Sequence, residues 1–339
     1  VTARRTEVET WFLDHGLPYF VAEERDAARA GLRPRRLVPF ATLLLAVAVV
    51  AGLTVRWLST RDDAEQAAGQ AAGNGSSGLA LWLSILVLGL LWYGATALHA
   101  RPILGFALSR TLGSVRFLVP MASRALPLLL VFVTFLFVNA EAWQMTSNLP
   151  FGLLWFTVLL MLGLAVLFLL VRLPEEVDRV DDEVDDAFIV RACAGTPLEA
   201  ASREVADDPG VDPQDFAQVA GFEKWNLILV LLVIQTVQVV LLSVTVFVFF
   251  MLFGSLVMEP QTQLAWTQLD TLQAAPYLSH VSLSLMKVSL FLASFSGFYF
   301  TVSAVTDDTY RRQFFSVVEN QLERAVGMRA VYLATRARS

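Results

Sequence analysis

Apolar runs separated by polar stretches of uneven length dominate the chain, at residues 37–55, 79–98, 126–145, 151–171, 227–257 and 281–305. A helix rises ~1.5 Å per residue, so about 20 apolar residues match a hydrocarbon layer ~30 Å thick. Only structures that satisfy their own backbone polar groups cross that layer. The pattern therefore predicts an all-α membrane protein, a six-transmembrane helical bundle. The fifth run, 227–257, would reach about 46 Å as a helix, and is expected to tilt or protrude.

The stretches between the runs carry their own periodicity. Residues 103–119 place Leu104, Ala107, Leu108, Leu112, Val115, Leu118 and Val119 on one side of a helical wheel, with Ser109, Arg110, Gly113 and Arg116 opposite. This predicts an amphipathic helix lying in the membrane interface, with a re-entrant or gating segment as the competing reading. Residues 172–225 form the one large polar insert. It opens with EEVDRVDDEVDD, in which Val177, Val180, Val184 and Phe188 keep helical spacing. Thr196-Pro197-Leu198-Glu199 is a capping box, and Asp212-Pro213 repeats its logic, so the insert is expected to be helical. Pro150 should open the fourth span and Pro174 close it.

The resulting organisation is an amphipathic segment over 1–36, spans one to four over 37–171, the acidic helical insert over 172–225, spans five and six over 226–305, and an amphipathic carboxyl-terminal helix over 306–339. In the last, Tyr310, Phe314, Val318, Leu322 and Ala325 share a face, with Arg311, Arg312 and Arg324 among its charges.

Composition narrows the class further. The 339 residues are 56% hydrophobic, with mean hydropathy +0.58 and 24 Phe, more apolar area than a water-facing surface can hide. The single Cys193 excludes an intrachain disulfide framework, and is expected to be an ordinary buried thiol. The Arg excess and abundant Ala, Val and Leu fit a high-GC bacterial gene. Val1, read as a GTG start, leads to the expectation of an intact amino end, and the first apolar run begins too late for a secretory leader.

Charge sets an expected orientation. Of the 25 basic residues, 22 fall in 1–36, 99–125, 172–225 and 306–339, which places those segments and both termini in the cytoplasm.

Polar residues inside the runs are the candidate chemistry. Lys287 stands about two turns into the sixth run, where an ammonium needs compensation. Glu141 and Asn139, near the far end of the third run, are the expected partners, in a cavity open to the outside; snorkelling of Lys287 to the headgroups is the competing reading. Gln235 and Gln238 suit interhelical hydrogen bonds or a polar pathway. Ser289, Ala293, Gly297 and Thr301 form a small-residue stripe that admits a neighbouring helix, from this chain or from a second copy.

No cofactor or metal is expected. His15, His99 and His280 lack ligand spacing, and the acidic run lacks the glycine-containing ladder of a calcium loop. There is no HExxH, GxSxG or phosphate-binding loop, and nothing points to nucleic acid.

Three stretches taken together, WFLDHGLPYF, RALPLLLVFVTFLFVNAEAWQ and FSGFYFTVSAVTDDTYRRQFF, resemble uncharacterised polytopic integral membrane proteins of actinobacteria. The resemblance implies a bacterial plasma-membrane location and supplies no catalytic or binding residues. The functional expectation is a channel or permease with polar groups inside the bundle. The alternative is a non-transporting scaffold or regulator that meets a cytoplasmic partner through the insert and terminal helices. Besides the lipid bilayer, the expected partners are that cytoplasmic protein and a second copy of the chain.

Overall fold

The computed structural model describes residues 2–62, 71–113, 130–275, 278–306 and 308–337. The amino-terminal segment is α1 (Thr2–Asp14) and α2 (Ala22–Gly31). Then follow α3 (Pro34–Asp62), α4 (Ala71–Ala97), α5 (Arg101–Gly113), a helical stretch over 130–137, and α6 (Ala140–Asn148). The long helix α7 (Phe151–Asp182) leads into the short α8 (Asp186–Ala192) and α9 (Glu199–Ala206) of the insert. The chain ends with α10 (Gly221–Val257), α11 (Pro260–Thr267), α12 (Leu283–Thr306) and α13 (Asp308–Ala337). A small antiparallel hairpin, β1 (Ala274–Ala275) with β2 (Leu278–Ser282), precedes α12.

The protein is an all-α membrane protein: among the described residues, α3, α4, α7, α10 and α12 are long and apolar enough to cross a bilayer. The third predicted span does not appear as one helix. Residues 126–129 lie outside the described residues, and the helical stretch that follows stops at 137. Asn139 is extended, and its Oδ1 accepts from the backbone N–H of Glu141 at 2.8 Å and of Ala142 at 3.4 Å. It thus caps a new helix where the sequence predicts a continuing one.

Packing sorts the spans. α7, α10 and α12 pack against one another, whereas α3 touches chiefly α4, and α4 leans on α7. Leu43, Val50, Leu88 and Leu91 on the outer pair are exposed, as lipid-facing side chains are. In the central trio the small-residue stripe is consumed within the chain. Ser289, Ala293, Gly297 and Thr301 are all buried, and a Cβ at Gly297 would lie 2.2 Å from Ser243 Oγ on α10.

One continuous apolar core joins the lower halves of these helices to both chain ends and the insert. Val8, Phe12 and Phe20 meet Val177, Phe188, Leu198, Leu231, Ala304, Val326 and Val331 in it. We call this end of the bundle the base. The opposite end, the crown, has a second cluster around Phe137, Trp143, Phe250, Leu285 and Leu292.

Several predicted boundaries move for reasons visible in the packing. Pro174 does not close the fourth span; α7 runs through it, because Leu173, Val177 and Val180 remain buried in the base. Its missing N–H is outweighed by that burial. The predicted interfacial helix is described only as far as Gly113, so 114–119 lie outside the described residues. Its Ile103 and Ala107 are buried at the base, while Leu108 is exposed. The turn at Gly16, with φ +71°, brings Phe106 of α5 against the amino-terminal segment. In α13, Leu322, Ala325, Val326, Met328, Ala330 and Val331 are all buried, more than one face of an amphipathic helix. Tyr310, Phe314, Val318, Arg311 and Arg312 have side chains outside the described set.

Candidate functional site

The polar residues singled out from the sequence fall into two places, one at each end of the bundle. At the crown, Lys287 Nζ donates to the carbonyl oxygens of Ser147 at 2.9 Å and Leu149 at 2.7 Å. These carbonyls close the carboxyl end of α6, where the last groups of a helix lack intrahelical donors and carry partial negative charge. Lys287 is therefore a side-chain cap for a helix other than its own. Glu141 sits at the opposite end of α6, in its first turn and exposed, and its acidic group suits that position. The expected Glu141–Lys287 pair is thus replaced by two separate caps on one nine-residue helix, with Asn139 supplying the amino-terminal one.

The crown is closely packed and hydrogen-bonded around this cap. Trp143 is fully buried and its indole N–H donates to the Phe137 carbonyl at 2.7 Å. Ser282 Oγ accepts from the Leu285 N–H at 3.0 Å, and its hydroxyl donates to Gln263 Oε1 at 2.5 Å, tying α11 to the start of α12.

Gln235 and Gln238 lie far from Lys287. Gly254 faces Leu285 and Gly297 faces Ser243, so α10 and α12 run antiparallel, and Lys287 is level with residues near 252. Gln238 is about 20 Å further toward the base. Gln235 is fully buried and Gln238 is 7% exposed, yet both amide atoms of Gln235 and Oε1 of Gln238 have no hydrogen-bond partner among the described residues. They do not serve as hydrogen-bonded glue between helices.

The base holds the polar network that sequence reasoning did not single out. Glu223, in the first turn of α10, accepts from Arg25 Nη1 at 2.5 Å and from Arg329 Nε at 2.6 Å. One carboxylate thereby ties α2 and α13 to the central helix. Arg329 Nη1 also donates to the Phe216 carbonyl of the insert at 2.8 Å. Asn226, fully buried, accepts from the Tyr19 N–H at 2.8 Å and donates to the Gly16 carbonyl at 2.9 Å. Tyr19 OH donates to the Leu98 carbonyl, and burial pushes this phenol up to about 12. The only visible signal for this network is a carboxylate and an amide at the start of an otherwise apolar run.

The acidic run is largely absorbed by structure. Glu176, 6% exposed, lies between Arg172 at 3.4 Å and Arg179 at 2.9 Å, and Arg172 also pairs with Glu175. Asp178 pairs with Lys224 at 2.5 Å, Asp181 Oδ2 accepts from the Val219 N–H at 2.9 Å, and Asp185 caps α8 through the Phe188 N–H at 2.6 Å. The predicted Thr196–Glu199 box does not form: α9 begins only at Glu199, with Leu198 at its N-cap and no side-chain cap there, and Thr196 Oγ1 accepts from the Leu198 N–H and Glu199 Oε2 from the Gly195 N–H in the turn before it. Among the described residues no group of three or more His, Cys, Asp or Glu is placed to hold a metal ion.

The chain matches no protein-family model, none of the curated proteins and no solved structure.

Proposed function

We propose that this is a multi-pass protein of a bacterial plasma membrane that acts as a scaffold or regulator, coupling a cytoplasmic partner to the packing of its membrane helices. The observation that carries the reading is Glu223 holding both Arg25 and Arg329 at the first turn of α10. Both chain ends and the insert thereby share one core with α7, α10 and α12, so a protein that grips the base acts on the bundle directly. The distribution of basic residues supports a cytoplasmic base with both termini inside. On the same reading the third apolar run contributes to a sixth crossing. Burial of the small-residue stripe inside the chain leaves that stripe offering no support for a homo-oligomer.

A second reading, a channel or permease, draws on one observation: the buried Gln235 amide and Gln238 Oε1, which have no hydrogen-bond partner among the described residues. Polar groups in a membrane core call for water, an ion or a solute to satisfy them. The full chain reconstituted in liposomes, with ion and solute flux measured, separates the two. The scaffold reading expects flux at the level of protein-free vesicles and, in native membranes, a discrete photocrosslinked adduct from the exposed insert residue Glu204. Flux above that level which falls in Gln235→Leu would overturn it in favour of transport.

A further inference from the structure

Below Lys287 an open-sided groove of about 300 Å³ runs between α7 and α10, floored by α12. Trp155 and Leu162 line one wall, Val240 and Val244 the other, and Ser294 and Gly297 the floor. Trp155, Val240 and Val244 are among the exposed large apolar residues, so the groove opens to the face that lipid covers.

Its dimensions match one leaflet. The α7 wall from Trp155 to Ala165 spans ten residue steps, about 15 Å of helix, or half of a ~30 Å hydrocarbon layer. Lys287, Leu290 and Ser294 follow at i, i+3 and i+7, so the ammonium stands on the floor stripe, about one turn beyond the groove toward the crown.

That ammonium keeps capacity for an anion. It carries three N–H donors, of which the Ser147 and Leu149 carbonyls take two. Carbonyls do not neutralise it, and it is half-buried with no acidic partner among the described residues. The amino end of α7, two residues beyond Leu149, has no side-chain cap and adds a positive helix end. Ser147, 7% exposed, has a hydroxyl without a partner among the described residues at the same turn.

We propose that this groove seats one acyl chain of an anionic glycerophospholipid from the crown-side leaflet, with the lipid phosphate on the third N–H of Lys287. The charge complements the head and the apolar trough takes the chain. A zwitterionic lipid offers the same chain but brings its own cation to an already positive site. The inference rests on the membrane fold alone, not on the scaffold reading.

The test uses the full chain in phosphatidylcholine vesicles containing a minor share of phosphatidylglycerol, with brominated acyl chains on one lipid or the other. Quenching that depends on Trp155 is isolated by comparison with Trp155→Phe. Brominated phosphatidylglycerol should quench about fivefold more per mole than brominated phosphatidylcholine, the preference expected for one lysine at the surface. Lys287→Gln should erase that preference, and Ser294→Phe, which fills the floor, should reduce quenching by both lipids. Raised ionic strength should shrink the wild-type preference without any substitution, so the headgroup contact is tested even where Lys287→Gln does not fold. Equal quenching by the two lipids, a preference that survives Lys287→Gln or high salt, or quenching unchanged by Ser294→Phe would overturn the proposal.

Discussion

Gly297 of α12 and Ser243 of α10 meet so closely that a Cβ built on the glycine would stand 2.2 Å from Ser243 Oγ and 3.2 Å from Val239 Cγ1. Two helices near the middle of the bundle thus approach so closely that a methyl group fits only if the Ser243 hydroxyl turns aside and Val239 gives way. Gly297→Ala should lower stability by about 1–3 kcal/mol, the usual cost of overpacking. Ser243→Ala removes the nearest obstruction, so the double variant should recover part of that loss. A double-mutant cycle by thermal unfolding in detergent checks it, and strict additivity would contradict the contact.

The Lys287 cap on α6 makes a second expectation. Lys287→Met leaves the Ser147 and Leu149 carbonyls without their donor, and should cost about 1–3 kcal/mol. Glu141→Gln should change stability by less than about 0.5 kcal/mol, because the exposed carboxylate does not touch Lys287. Comparable losses in the two variants, measured by the same unfolding assay, would mean that they form a pair after all.

Glu223 is the tie between both chain ends and α10. Glu223→Gln should weaken two charge-assisted contacts at once, at a cost of about 2–3 kcal/mol. Limited proteolysis should then cut the amino-terminal and carboxyl-terminal segments faster in parallel. Accelerated cleavage at one end alone would show that the two arginines are held independently.

Burial pushes the Cys193 thiol up to about 12, from an ordinary 9.0, so the neutral form is native. The unfolded thiol ionises first as pH rises. This group's stabilising contribution is therefore complete below about pH 9 and is lost progressively toward pH 12. Native protein near pH 9 should react with iodoacetamide far more slowly than denaturant-unfolded protein. Similar rates would place the thiol at the surface.

The amide of Gln235 is buried without a partner among the described residues. Gln235→Leu keeps the volume while removing the desolvation cost, and should raise the melting temperature, worth about 1–3 kcal/mol. A lower melting temperature would show that the amide is satisfied by bound water or solute.

The helices that cross lipid were legible along the chain because crossing is a local property: enough consecutive apolar residues, with every backbone group bonded inside the segment. The runs at 37–55, 79–98, 151–171, 227–257 and 281–305 each became such a helix, and Asp212 caps the turn at Pro213–Phe216 where its spacing placed it, whereas Thr196 falls two residues short of the N-cap of α9. Partner choice is not local. Lys287 meets Leu149 across 138 positions, and Arg329 meets Glu223 across 106, so nothing in the neighbourhood of either residue names the other. Asn139 reads as one more polar residue in an apolar run until its side chain is seen bonding the next turn's N–H groups and dividing the run. The small-residue stripe likewise announced close approach but not of what; the fold settled it by laying α10 on Gly297, because only assembled helices determine which ridges meet.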